Sequence, residues 1–267
     1  MQTSVNLPKW LDDLIFSKMG AKYCCSNADM TVIDWDKSDI LNYLGTYFPR
    51  SFAEAYCIFT SYFELEKNTW SRKNQISVFD FGCGTGGEIV GLAYAIETTL
   101  PQIQTLLVKG LDGNQAALHC LETVFEELKN KINLHIDLKV SPLKIDDIYD
   151  ANVIESIVRS KYDIIMTFKA ICEFVTKRQF EERNPYQYLS SSFIKRLNDG
   201  GMILMEDVTT YNKTSQDWLP KMMDRGIVQS GCSVKYKNEG YNQCFQVSHS
   251  RKKNDKSKVA WRIINSN

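Results

Sequence analysis

The sequence predicts an α/β protein: a doubly wound, mostly parallel seven-stranded sheet with antiparallel C-terminal strands and a helical N-terminal extension. Three observations predict it. From residue 76 onward, short β-rich runs alternate with stretches of helical spacing, which implies parallel strands joined by crossovers. Runs such as "DIIMTF" and "MILM" are apolar on both faces, as strands sandwiched between helix layers must be. After residue 209 the strand-like runs follow one another through short turns, which suits an antiparallel end to the sheet.

The extension comes first. Within residues 1–70, Ser38 is a candidate helix cap, followed by apolar residues at Ile40, Leu41, Leu44 and Tyr47. Pro49 is expected to break the helix, and a second stripe follows at Phe52, Ala55, Tyr56, Phe59 and Phe63. No strand alternation is visible there. The second domain, 71–267, is expected to carry strands at 76–81, 105–112, 132–140, 162–168 and 201–208, with helices from about 87, at 114–130, near 146–160 and near 186–198. "NDGG" at 198–201 reads as the turn that ends the last of these helices. Beyond it, "SQDWLPKMMDRG" reads as a helix broken near Pro220, and "VQSGCSVKY", "NQCFQVSHS" and "SKVAWRII" as strands.

Composition narrows the function classes. Lys plus Arg and Asp plus Glu number 32 each, so no global field draws the chain to nucleic acid or membrane. No run approaches the roughly 18 apolar residues needed to cross a bilayer. The N-terminus lacks a signal-peptide pattern, and the eight cysteines include no C-x-x-C pair. Reduced thiols and a cytoplasmic location are therefore expected. Oligomeric state is not readable.

"VFDFGCGTGGEIV" at 78–90 carries the chemistry. Gly82, Gly84 and Gly87 have the G-x-G-x-x-G spacing of a dinucleotide-binding turn, and Asp80 stands two residues before the first glycine. The loop falls where the first parallel strand meets its helix, the place where such sheets bind ligands. Asp80 suits a ligand with an ammonium group and would repel a pyrophosphate. Asp112, closing the second strand, is placed to accept ribose hydroxyls under either reading. Five parallel strands followed by antiparallel ones do not build the second mononucleotide half of a dinucleotide fold, so a nicotinamide-dependent oxidoreductase is the weaker alternative.

"VFDFGCGTGG" resembles motif I of the class I S-adenosylmethionine-dependent methyltransferases. "VKGLDGNQAAL", "YDIIMTFKAICEF" and "LNDGGMILMED" are similar to that family's later motifs, in the family's order over residues 76–208. The resemblance implies a Rossmann-like domain binding S-adenosyl-L-methionine. It would place Asp80, Gly82, Cys83, Gly84 and Gly86 at the methionine part, and Asp112 with Gly113 at the ribose. Ser141, Pro142 and Leu143 would flank the adenine, although the acidic residue common there is absent and Asp146 comes later. Phe168 ends the fourth strand, and Arg50 is placed to pair with the donor carboxylate. Tyr47 or Tyr56 could pack over the sulfonium. The extension also shows a faint likeness to methyltransferase-like proteins of the small ribosomal subunit, without their cysteine-rich metal motif.

The acceptor is less legible. Lys169 and Glu173, just after the fourth strand, are the catalytic candidates, and Cys172 reads as a structural thiol. The acceptor is expected between the N-terminal helices and the ends of strands four and five. RNA or a ribosomal component is favoured, then a small molecule, then a protein; a catalytically silent donor-binding protein is a further alternative. The run "SRKKNDKSK", with Arg251, Lys252, Lys253, Lys256 and Lys258 against Asp255, reads either as a phosphate-contacting turn or as a solvated hairpin tip. Cys232, Cys244 and His249 have the wrong spacing for a metal site, and none is expected.

Overall fold

The computed structural model describes residues 1–24, 37–145, 147–175, 179, 183–209, 211–212 and 217–265. Asp146 lies outside them. The chain divides into two compact units that interleave in sequence: Met1–Ile76, Cys83–Leu143 and Cys244–Ser257 form one, and Ser77–Gly82, Lys144–Gln243 and Lys258–Asn267 the other. Among the described residues the main sheet has nine strands, two more than the sequence predicts, and it is mixed in the expected way.

The first unit opens with a strand that the sequence did not suggest, β1 (Ser4–Asn6), three residues too short to show alternation. It pairs in parallel with β10 (Gln243–His249), and Gln246 N–H bonds Thr3 O at 2.8 Å. A single turn, α1 (Lys9–Asp12), runs on into a wider π-helical stretch at Asp13–Lys18. Then comes α2 (Lys37–Leu65), one helix of 29 residues with Pro49 inside it, where the sequence predicted two. Proline removes one backbone bond and crowds the preceding turn. What outweighs this is packing on both sides of that turn. Lys22 N–H bonds Leu41 O and Cys24 N–H bonds Thr46 Oγ1, both at 3.0 Å. On another side α2 lies so close to α4 (Gly87–Thr99) that a Cβ on Gly87 would stand 2.4 Å from Phe48 O, and one on Gly91 2.5 Å from Phe52 O. The short α3 (Lys67–Trp70) seats Trp70 against Phe63. α4 is apolar almost all round and buried for most of its length, as a helix covered on several sides must be. The unit closes with β3 (Thr105–Asp112), α5 (Gln115–Leu128) and β4 (His135–Pro142), β3 and β4 pairing in parallel from Thr105↔His135 to Asp112↔Pro142.

The second unit holds β2 (Gln75–Phe81, from Ser77 on), α6 (Ala151–Ile157), β5 (Tyr162–Phe168), α7 (Ile171–Phe174), α8 (Pro185–Ile194) and β6 (Leu197–Val208). β2 pairs with β5 and β5 with β6, all in parallel. Phe79 and Phe81, two apart on one face of β2, meet Phe193 of α8 edge-on. The "NDGG" stretch is not a free turn: β6 begins at Leu197, and the pairing jumps from Tyr162↔Leu197 to Ile164↔Met202. The extra residues form a bulge around Asp163, which accepts from Asn198 Nδ2 at 3.0 Å. β7 (Tyr211–Asn212) and β8 (Asp217–Trp218) make a separate two-stranded pair. α9 (Leu219–Gln229) follows, with Pro220 in its first turn, where a missing N–H costs nothing. Helix therefore takes the start of "VQSGCSVKY", leaving β9 only Val234–Lys237. β11 (Lys252–Asn265) runs antiparallel to both β6 and β9, giving the expected antiparallel end. Its beginning, up to Ser257, belongs to the first unit.

Candidate functional site

In the first unit the glycine bend from Cys83 leads into α4, and its backbone explains the glycines. Gly84 and Gly86 have φ of 46° and 80°, values that disfavour a side chain. A Cβ on Gly86 would stand 2.1 Å from Leu121 Cδ1 of α5, so that glycine lets the bend settle on its own core. A Cβ on Gly84 would meet the Tyr43 hydroxyl at 3.2 Å. Gly87, the third glycine of the apparent fingerprint, serves the approach of α2 and has no need of a ligand to explain it.

Three amide donors of the bend are already used. Cys83 N–H bonds Leu111 O at 3.0 Å, Gly84 N–H bonds Asp112 Oδ2 at 2.9 Å, and Gly86 N–H bonds Cys83 O at 2.8 Å. A diphosphate is recognised through such donors, left open and pointing at the ligand. This bend turns three of them inward and sets a carboxylate beside itself. With three amides turned inward, the bend fits a ligand without phosphate at this point better than a dinucleotide.

Asp112 ends β3 and is buried. Its Oδ1 accepts from Asn114 N–H at 2.7 Å, and its carbonyl accepts from Leu143 N–H at 2.9 Å. Burial pushes the Asp112 carboxyl up, while the amides of Asn114 and Gly84 work against that push. The sequence predicted Asp112 at the close of the second strand as a ribose acceptor. In the structure it also ties the bend to β3, and each oxygen still has acceptor capacity beyond its amide. Asn114 caps α5 by accepting from Ala116 N–H and Ala117 N–H, leaving Gly113 exposed between the two. Ser141 and Pro142 belong to the end of β4, opposite Leu111 and Asp112, and the loop begins only at Leu143. Cys83 contributes backbone: its thiol is buried, and a Cβ on Gly110 would lie 2.9 Å from its sulfur.

Arg50 is held by Asp255, Nε to Oδ2 and the second guanidinium nitrogen to Oδ1, both at 2.8 Å. Tyr23 donates to the same carboxylate at 2.9 Å, and His249 Nε2 lies 3.8 Å from it. Burial alone would raise the Asp255 carboxyl; the hydrogen bonds from Arg50 and Tyr23, with His249 beside them, outweigh it and hold the group well below the usual carboxylate range. Tyr43, which the sequence reading passed over, stands at the bend. Its signal was present in the spacing of Tyr43, Tyr47 and Arg50, which share one face of α2 once Pro49 is understood not to break the helix.

The second unit contributes other candidates. Asp80 is fully buried in β2, opposite Met166 of β5, and Gly82 follows with φ 81°. β5 ends at Phe168, and Lys169 then takes φ 53°, a left-handed conformation unusual for lysine. Two bonds hold it there: Lys169 N–H to Glu206 O at 2.9 Å, and Cys172 Sγ–H to Lys169 O at 3.1 Å. Glu173 is exposed on α7. Beneath this turn the buried Asp207 accepts from Tyr186 Oη at 2.8 Å and from Cys172 N–H at 3.2 Å. Burial pushes both Asp207 and Tyr186 up. No sequence signal announces this pair, because a buried Asp within "MILMED" has the same letters as an exposed one. Among the described residues no group of three or more His, Cys, Asp or Glu could hold a metal ion, and no helix is long and apolar enough to cross a membrane.

No protein-family model and no curated protein matches the sequence. Solved structures do match. A methyltransferase from Pyrococcus furiosus is similar with a TM-score of 0.45 at 14% identity, over 76% of this chain and 82% of that one. The magnesium protoporphyrin IX methyltransferase of Synechocystis PCC 6803, solved with bound SAM, is similar with a TM-score of 0.50 at 11% identity, over 88% of this chain and 86% of that one. At such low identity the likeness shows the fold alone, a Rossmann-like mixed sheet flanked by helices.

Proposed function

We propose that the protein is an S-adenosyl-L-methionine-dependent methyltransferase whose acceptor is RNA or a ribosomal component. The observation that carries the donor assignment is the bend in which the amides of Cys83, Gly84 and Gly86 are spent inside the protein. The methyltransferase fold and the motif order of residues 76–208 support it. Asp80 would receive the donor's ammonium group, Gly82, Cys83, Gly84 and Gly86 would present bare backbone to the methionine part, and Asp112 with Gly113 would hold the ribose. Ser141, Pro142, Leu143 and Phe168 would frame the adenine and the methyl-bearing end. Arg50 is committed to Asp255, so its part is to fix α2 and not to clamp the donor carboxylate.

When bound, the donor supplies a methyl group already activated on sulfur. What remains for the chain is to align an acceptor atom and exclude water. Lys169 and Glu173 are the candidates for holding or moving an acceptor proton; the strained turn at Lys169 is the kind of conformation that packed sites maintain for a purpose.

The RNA assignment rests on charge. Arg251, Lys252, Lys253, Lys256 and Lys258 are all exposed, while Asp255, the single acid among them, is turned inward onto Arg50. The run thus shows solvent five cations and no counter-charge, which suits a phosphate backbone.

Calorimetry against S-adenosylmethionine and NADH tests the donor; binding of NADH alone would refute the assignment. Labelled donor added to a cell extract tests the acceptor. Label entering RNA, and falling when Lys252 and Lys253 are replaced by Glu, is the expected result. Label entering only the small-molecule or protein fraction overturns the RNA assignment, and donor binding without any transfer identifies a silent binder.

A further inference from the structure

Three residues of α2 form a half-buried stripe among buried neighbours: Tyr43, Tyr47 and Arg50, at i, i+4 and i+7. Tyr43 leans over the glycine bend, its hydroxyl 3.2 Å and two of its ring carbons 3.5 and 3.7 Å from the place a Gly84 Cβ would take. The Tyr43 and Tyr47 rings lie 4.9 Å apart, tilted by 31°. The Arg50 guanidinium stands 5.9 Å from the Tyr47 ring centre, and its charge is matched by the bidentate bond to Asp255. The stripe cannot drift from the bend, because α2 backbone at Phe48 and Phe52 rests directly on Gly87 and Gly91. Beside Gly84 the protein therefore offers the Tyr43 phenol, with the Tyr47 ring and a neutralised ion pair behind it.

We infer that Tyr43, backed by Tyr47, reads the charge on sulfur: it favours the cationic sulfonium donor over the neutral thioether left after methyl transfer. The inference rests on the donor assignment above. An aromatic face attracts a cation within about 6 Å and is indifferent to a neutral thioether of the same shape. An unpaired arginine beside the rings would repel the sulfonium; the Asp255 carboxylate removes that repulsion. The consequence is selective retention of donor and easier release of product.

The test is equilibrium binding of three probes to wild type, Tyr43→Phe, Tyr43→Leu and Tyr47→Leu. The probes are S-adenosylmethionine, S-adenosylhomocysteine, and an analogue with a protonated amine in place of the sulfonium. Tyr43→Leu is expected to weaken both cationic probes about 3- to 30-fold and to leave the neutral one within about two-fold. Tyr47→Leu should do the same more weakly, and Tyr43→Phe should keep the wild-type preference. Because these side chains are half-buried, unchanged melting curves establish that the variants fold. If Tyr43→Leu weakens all three probes alike, or if Tyr43→Phe loses as much as Tyr43→Leu, the residue supplies shape or a hydroxyl and charge reading is wrong. In either case the donor assignment stands, whereas a wild-type protein that binds none of the probes brings down both.

Discussion

The bend after Gly82 and the turn after Phe168 both follow parallel strands, and they are built by opposite means. At the bend the work is done by backbone: three inward amides, a carboxylate fastened to one of them, and glycines where a carbon atom would collide. At the turn side chains share the work with one backbone bond: Cys172 Sγ–H bonds the Lys169 carbonyl, Asp207, held by Tyr186, fixes the Cys172 amide, and Lys169 N–H bonds Glu206 O, so that the lysine keeps a conformation that lysine disfavours. A backbone site binds one ligand and tolerates few alternatives. A site made of side chains can be refitted to another substrate by substitution, which would suit the acceptor side of the proposed transferase.

The comparison predicts that the bend breaks hardest. Gly86→Ala must accommodate a carbon 2.1 Å from Leu121 Cδ1 at φ 80°. Left-handed strain and overpacking together should cost about 4 kcal/mol of stability. Gly231 provides the control: it has the same φ with nothing within 4 Å of an added Cβ. Gly231→Ala should lose about 1 kcal/mol, from strain alone. Denaturant titration of the two variants measures both, and equal losses would mean that Leu121 gives way.

Next is the ion pair under α2. Asp255→Ala leaves Arg50 without its carboxylate in a largely buried place, at a cost of about 3 kcal/mol. The folded Asp255 carboxyl is depressed, so its contribution is present above the unfolded value near pH 4 and is lost as pH falls through the folded one. The stability gap between wild type and variant should therefore be constant near neutrality and shrink below about pH 4. A gap that does not change with pH would mean that the carboxylate charge plays no part.

On the other side, Tyr186→Phe removes one donor from the buried Asp207 and should cost about 1.5 kcal/mol, the usual loss for a hydrogen bond to a charged group. The loss should grow as pH rises, since the remaining carboxylate is harder to ionise without its phenol. A loss below about 0.5 kcal/mol would show that Cys172 and Val208 amides satisfy Asp207 by themselves.

This contrast also explains what was legible. β3 and β5 fall where "TLLVKGLD" and "YDIIMTF" predict them, because apolar strands bounded by turn residues are a local signal. The glycine bend was legible for the same reason: bare backbone at fixed spacing is written in letters. Pro49 misled because the forces that keep α2 whole come from Lys22, Cys24 and α4, all distant in sequence. Asp255 was hidden among lysines, and its inward turn depends on Arg50, 205 residues away. Tyr186 and Asp207 meet only through tertiary packing, so no spacing announces them.

The smallest effect separates the two regions most finely. Lys169→Gly relieves a φ of 53°, worth about 1 kcal/mol, while it frees the unfolded chain and gives up what the lysine side chain holds. The terms oppose one another, so stability should stay within about 1 kcal/mol of wild type. If the turn serves the acceptor, donor affinity will be unchanged while turnover falls by at least tenfold, the least expected from removing a group that handles a proton. A variant that loses stability yet turns over normally would make Lys169 a structural residue and leave Glu173 as the remaining candidate. A glycine substitution at the bend offers no such separation, because the backbone that would carry the donor is also packed on the core at Leu121.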